Sequence, residues 1–230
     1  MIGFYDYTIV LTFLGLVSSI FGMTQAMDAH FKMAIFCLAF SGLCDTFDGM
    51  VARTKRGRTD DQKLFGIQLD SLCDVVCFGI FPALICYLLG VRGTLGAIAI
   101  GYYCICSVIR LAYFNVLETD RQMDETGGEK VYHGLPVTSI AIILPLTFLL
   151  EFTMPEKYFS VVLIFMLFIV GTCFILDFQM KRPGNRVIGL IIVVVACAVA
   201  VIFLYSSFEI HRAPGYDLTD NPIVGTQNDR

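Results

Sequence analysis

The chain has 230 residues, 57% of them hydrophobic and 16% charged, with a mean hydropathy of +0.74 and a formal net charge of -4. Soluble domains run nearer about 45–50% apolar and about 25% charged, so a soluble fold is excluded. The small acidic balance also excludes a nucleic-acid partner, and what remains is an all-α, polytopic integral membrane helix bundle.

The N-terminus, MIGFYDYTIVLTF, lacks a basic stretch ahead of its apolar run. The first segment, about 8–27, therefore reads as a retained span rather than a cleaved signal peptide. Six more apolar segments follow, at about 31–53, 66–90, 94–116, 136–152, 158–178 and 187–207. Each approaches the roughly 20 residues a bilayer core requires, so the expectation is seven helices within a range of about six to eight. The fifth, GLPVTSIAIILPLTFLL, is short; Pro136 suits its start and Pro145 predicts a kink. Residues 1–207 read as a single transmembrane domain and 208–230 as a polar tail. No internal repeat interrupts this order. The nine cysteines include no CxxC pair, and most, such as Cys37, Cys77, Cys86, Cys173 and Cys197, fall inside apolar runs. Cys104 and Cys106 point to different helix faces. All read as small buried hydrophobes.

Lysine and arginine in short loops set orientation. With the N-terminus inside, ten basic residues face inward and five outward. Arg53, Lys55, Arg56, Arg58 and Lys63 then lie on the cytoplasmic side.

The stretch from 44 to 74, CDTFDGMVARTKRGRTDDQKLFGIQLDSLCD, joins the second and third spans and carries the chemistry. Carboxylates at membrane depth are expensive and face a bundle interior or a watery cavity. Asp45, Asp48, Gly49, Ala52 and Arg53 fall within an arc of roughly 140° on one helix. Gly66, Asp70 and Asp74 share a face of the next by their spacing of four. Two adjoining helices thus bring four carboxylates together, and these repel severely unless something positive sits among them. An oxygen-only donor set suits Mg²⁺ or Mn²⁺ in preference to zinc. Gly49, Ala52 and Gly66 leave room for a close approach, and Arg53 offers a donor fork to phosphate oxygens. The set describes a site for a metal-bound pyrophosphate, where two metals about 3.5–4 Å apart can clamp a phosphoryl transfer.

Asp45-Thr-Phe-Asp48-Gly49-Met-Val-Ala52-Arg53 and Gly66-Ile-Gln-Leu-Asp70-Ser-Leu-Cys-Asp74 resemble the signature of the CDP-alcohol phosphotransferase family at every fixed position. The connection between Arg53 and Gly66, twelve residues, is longer than the family usually has, and it reads as a polar loop where added length costs little. Lys55, Arg56, Arg58 and Lys63 there either touch phosphate or anionic lipid, or simply set topology. A narrower resemblance is to the phosphatidylserine synthase branch. It rests on FGIQLDSLCDVVCFGIFPALI, on IRLAYFNV at 109–116, where Tyr113 stands for the usual arginine, and on HGLPVTSIAI at 133–142.

That resemblance implies CDP-diacylglycerol and L-serine as substrates, phosphatidylserine and CMP as products, and a homodimer in the cell membrane with its site on the cytoplasmic side. It assigns metal to Asp45, Asp48, Asp70 and Asp74, the proton-accepting role to Asp74, and CDP or phosphate contacts to Gly49, Ala52, Arg53 and Gly66. Arg110 either binds the serine carboxylate or a lipid phosphate or snorkels to the interface. Asn115 is a candidate for the serine amine or carboxylate. His133 reads as a solvated loop residue, and Arg121, Asp124, Glu125 and Glu129 as a solvated polar loop. Glycerol phosphate or inositol phosphate as the alcohol keeps the same chemistry. A divalent-cation transporter is the rival class, against which stands the confinement of the acidic residues to one membrane side. A structural subunit would have little use for the glycines and the arginine.

Overall fold

A computed structural model describes residues 3–4, 7–52, 59–123, 131–181 and 185–204. Helices α1 (Val10–Met27) and α2 (Phe31–Ala52) form an antiparallel hairpin. Within a bilayer the hydrophobic effect does not drive helices together, so close packing and interhelical hydrogen bonds must. The chain supplies both. Gly15, Ser19, Gly22 and Ala26 form the buried stripe of α1 at spacings of four, three and four. A Cβ on Gly22 would lie 2.4 Å from Phe81 and 2.7 Å from Cys37. Ser41 donates to the Gly15 carbonyl at 2.8 Å, and its hydroxyl meets that of Ser19 at 2.7 Å.

The third span is built from α3 (Asp60–Asp74), a π-turn (Val75–Ile80) and α4 (Phe81–Leu88). It starts six residues earlier than the apolar pattern predicts. Thr59 accepts from the Gln62 backbone N–H while the Gln62 side chain accepts from the Thr59 N–H, a reciprocal cap. Asp60 and Asp61 in the first turn complement the helix dipole. About half of the long connection is therefore helix, not loop. Lys63 sits on it, paired with Asp60 at 2.9 Å.

Helix α5 (Gly93–Met123) runs past the expected end at 116, which places Arg121 on the helix rather than in a loop. Val131–His133 (β1) then pairs antiparallel with Gln179–Lys181 (β2), so His133 belongs to a short ribbon instead of an open loop. Val137–Ser139, α6 (Ile140–Phe148) and Leu149–Phe152 form the short fifth span, a helix with 3₁₀ turns at both ends and Pro145 inside. Pro136 caps its start. Helix α7 (Glu156–Ile175) packs on α5, where the Tyr102 and Thr172 hydroxyls meet at 3.0 Å and Tyr102 lies against Gly171. Helix α8 (Asn185–Leu204) lies against α2 and α6 and is mostly exposed along its length.

The seven expected spans thus each correspond to a helical segment. Five of them are long and apolar enough to cross a membrane, Val137–Phe152 is shorter, and α2 has 22 residues. The chain is a polytopic helical membrane bundle. Its core, which includes Leu38, Phe78, Phe81, Tyr103, Leu144 and Leu167, sits where α1, α2, the π-turn and α4 to α7 meet, with Ile202 of α8 joining it. All nine cysteines are free, six of them buried.

Candidate active site

The carboxylates are positioned by α2 and α3. One carboxylate oxygen from each of Asp45, Asp70 and Asp74 lies within 4.8 Å of the others, and all three side chains are half-buried. Asp48, only 8% exposed, faces Asp70, while Asp45 faces Asp74. The structure therefore brings together all four aspartates singled out by spacing.

Two further features hold them in place. Thr12 of α1 donates to Asp48 Oδ2 at 3.1 Å, so the first span reaches the cluster. On the far side of α3, Ser71 donates to Asn115 Oδ1, and Asn115 Nδ2 donates to Gln68 Oε1 at 3.4 Å. Asn115 thus engages both ends of its amide within the protein and ties α5 to the turn of α3 that carries Asp70. Directly after Asp74 the helix widens into the π-turn, whose Phe78 carbonyl accepts from the buried Tyr103 hydroxyl at 2.5 Å. Such turns change which side chains share a face and recur at functional sites.

The electrostatics of the cluster require a counter-charge. Two carboxylates 4.8 Å apart repel by on the order of 3 kcal/mol per pair at an effective dielectric of about 20. Among the described residues no lysine or arginine pairs with any of the four. The donor set is oxygen alone, and its spread is near the separation of opposite ligands on a hard divalent cation, about 4–5 Å. The residues fit Mg²⁺ or Mn²⁺.

Gly49 and Gly66 border this cluster, and a Cβ on either would meet nothing within 4 Å. The contrast with Gly22 and Gly42, where a Cβ would lie 2.4 Å from Phe81 and 2.5 Å from Ala141, is informative. Gly22 and Gly42 are small because helices press on them. Among the described residues no packing explains Gly49 or Gly66, which leave open space beside the carboxylates. Arg53 lies outside the described residues, as do Lys55, Arg56, Arg58, Asp124, Glu125, Glu129 and the tail 208–230. Of Ala52 only the backbone, at the end of α2, is described.

Arg110 does not snorkel. It is 6% exposed, and its Nε donates to the Leu135 carbonyl at 3.1 Å. That carbonyl belongs to the Gly-Leu-Pro turn, which main-chain bonds dock on the end of α7: Gly134 N–H to Phe178 at 2.8 Å and Leu135 N–H to Cys173 at 3.2 Å. Gly134 holds φ +72°, and a Cβ there would sit 2.9 Å from the Leu176 carbonyl, so only glycine suits the turn. Among the described residues no carboxylate pairs with Arg110. Spacing along α2 and α3 pointed to the four aspartates. It did not single out Thr12, Gln68 or Ser71. Ser71 and Gln68 carried a signal, being polar residues three apart on a second face of a membrane helix; Thr12 in α1 carried none.

Comparison with known proteins agrees with this geometry. The model of the CDP-alcohol phosphatidyltransferase family matches residues 8–173. The chain is 33% identical over 149 residues to the CDP-diacylglycerol–serine O-phosphatidyltransferase of Saccharomyces cerevisiae, covering 64% of this chain and 49% of that protein. It is 27% identical over 201 residues to the enzyme of the same name from Mycobacterium bovis, covering 84% and 68%. It is 33% identical over 144 residues to the archaetidylserine synthase of Methanothermobacter thermautotrophicus, covering 62% and 58%. The chain thus spans about half the length of the yeast relative and about two thirds of the mycobacterial one.

Proposed function

Because the chain belongs to the CDP-alcohol phosphatidyltransferase family, we propose that it transfers the phosphatidyl group of CDP-diacylglycerol to L-serine, giving phosphatidylserine and CMP. The observation that carries this reading is the convergence of Asp45, Asp70 and Asp74 beside glycines that no described residue packs against. The names of the relatives support serine as the acceptor.

The serine hydroxyl attacks the phosphorus that bears the lipid. Asp74 takes the hydroxyl proton as the new P–O bond forms. The bond from that phosphorus to the CMP oxygen breaks, and CMP leaves. Asp45, Asp48 and Asp70, with Asp74 sharing, would hold Mg²⁺ or Mn²⁺, which would supply the positive charge that the pyrophosphate and the departing CMP need. The signature positions Gly49, Ala52, Arg53 and Gly66 are the proposed contacts for the nucleotide phosphates. Arg110 is a buried cation without a described carboxylate partner, a costly arrangement that a serine carboxylate or lipid phosphate would relieve. Asn115 acts chiefly by fixing α3 against α5. The excess of basic residues in the loops on the carboxylate side supports a cytoplasmic site in the cell membrane.

Incubating detergent-purified protein with CDP-diacylglycerol, Mg²⁺ or Mn²⁺ and one alcohol at a time, while measuring CMP, tests the reading. Serine-dependent CMP release is expected, abolished by chelation and reduced about 10²–10⁴-fold in Asp74→Asn. Release with glycerol phosphate or inositol phosphate but not with serine would overturn the acceptor and keep the family chemistry. Release with no alcohol at all would overturn the activity.

A further inference from the structure

The segment Phe78-Gly79-Ile80-Phe81-Pro82-Ala83 follows closely on Asp74, and the chemistry proposed above leaves it without a role. It carries the π-turn into α4. In an α-helix the Phe78 carbonyl would accept from the N–H four residues on. That residue is Pro82, which has no N–H and whose ring crowds the same carbonyl. The chain widens instead, and the Phe81 N–H bonds back five residues to the Val76 carbonyl. Helix α5 completes the turn from the side. Tyr103, fully buried, donates its hydroxyl to the Phe78 carbonyl at 2.5 Å, and the Cys104 thiol points at the Gly79 carbonyl at 3.8 Å. A Cβ on Gly79 would lie 2.9 Å from Ser107 Oγ, so glycine lets α5 come this close. A buried phenol needs a partner, and a buried carbonyl that Pro82 cannot serve needs a donor; each answers the other.

The wide turn has a rotational consequence. Along an uninterrupted α-helix Phe81 and Ile85 would fall within about 20° of the direction of Asp74. One inserted residue turns everything beyond it by about 100°. Asp70 and Asp74 can then face Asp45 of α2 while Phe81 and Ile85, both wholly buried, point into the apolar core. We propose that Tyr103 is a positioning residue for Asp74: by holding the Phe78 carbonyl it keeps the turn wide, and the wide turn aims the Asp74 carboxylate toward Asp45 and Asp70. The proposal rests on the metal-site reading above and adds what orients one of its ligands. Tyr103 sits on α5 and acts only through the backbone of the turn.

Tyr103→Phe removes the hydroxyl and keeps the ring. Melting temperatures are read in chelator and across a Mg²⁺ titration, whose midpoint reports metal affinity without turnover. The variant should need about tenfold more Mg²⁺ to reach that midpoint. Its kcat should fall about tenfold or more while KM for both substrates stays within about twofold of wild type. Phe174→Leu is the control: it loosens the ring packed on Tyr103 at a centroid distance of 5.7 Å and spares the hydroxyl. It should melt lower and keep the wild-type Mg²⁺ midpoint. An unchanged midpoint in Tyr103→Phe, or an equal rise in Phe174→Leu, would overturn the proposal. Adding Pro82→Ala to Tyr103→Phe gives the Phe78 carbonyl an N–H. Stability in chelator should then recover while the midpoint stays high, because the turn closes to an α-helix; recovery of both contradicts the proposal. Amide exchange in the wild type reads the same coupling even where a variant fails to fold. Mg²⁺ should slow exchange across 75–81, and protection confined to α2 and α3 would overturn the proposal. A wild type whose melting temperature ignores Mg²⁺ sinks the metal reading and this proposal with it. A Mg²⁺ shift without serine-dependent CMP release sinks only the activity reading.

Discussion

Asp70 and Asp74 stand four residues apart on α3, and Asp45 of α2 lies against them. Removing one of these charges has opposite consequences with and without metal. In chelator, Asp70→Asn should melt higher than wild type, because it removes repulsion of on the order of 3 kcal/mol per pair. Adding Mg²⁺ should raise the melting temperature of wild type, since a ligand bound only to the folded state stabilises it, and should raise that of Asp70→Asn much less. Thermal melts in both conditions check this without any turnover. The glycines separate in the same way. Gly49→Ala should raise the melting temperature slightly, because alanine favours the helix and its Cβ meets no described residue, yet raise KM for CDP-diacylglycerol by about tenfold or more if phosphates lie there. Gly22→Ala should instead destabilise by about 1–3 kcal/mol through overpacking against Phe81 and Cys37. Spacing marked the aspartates and the signature glycines from sequence. It could not mark Thr12, whose partner Asp48 is 36 residues away. It also left open whether Arg110 reached the interface, which the docking of Leu135 over it decides.

At the scale of elements, α3 shows how local chemistry sets a boundary that hydropathy misses. Apolar content begins near 66, but the Thr-Asp-Asp-Gln run nucleates the helix at Asp60. Thr59→Ala should cost about 0.5–2 kcal/mol, read as a lower midpoint in denaturant or heat, with the apolar part of the span intact. The ladder of Ser71, Asn115 and Gln68 then sets the rotation of that helix. Asn115→Ala should lower kcat more than it raises KM for serine, since it loosens Asp70 and Asp74 rather than removing a substrate contact. A loss expressed wholly in serine KM would instead make Asn115 a serine ligand. The β1–β2 ribbon was not legible at all. Its two strands lie 46 residues apart in the chain, and three-residue strands carry too little alternation to stand out beside membrane spans.

For the whole molecule, the fold brings the acidic turns of α2 and α3 together, and the loop charges predict which side of the membrane they face. A cysteine introduced at Asp61, exposed at the start of α3, should react with an impermeant maleimide only from the cytoplasmic face of sealed vesicles. One at Thr94, exposed in the first turn of α5, should react only from the other face; the opposite pattern would invert the orientation. The amino-acid sequence by itself determined the membrane class, the seven helical segments and the four aspartates with their flanking glycines. Those properties live in composition and in helical spacing, which act over a turn or a span. Only the tertiary structure decided what joins the spans. The small-residue stripe that seats α1, the π-turn after Asp74 and the Gly-Leu-Pro turn docked over Arg110 all depend on which surfaces meet. In a bilayer every span is apolar, so hydrophobic pattern cannot choose its neighbours; close packing and a few buried hydrogen bonds do.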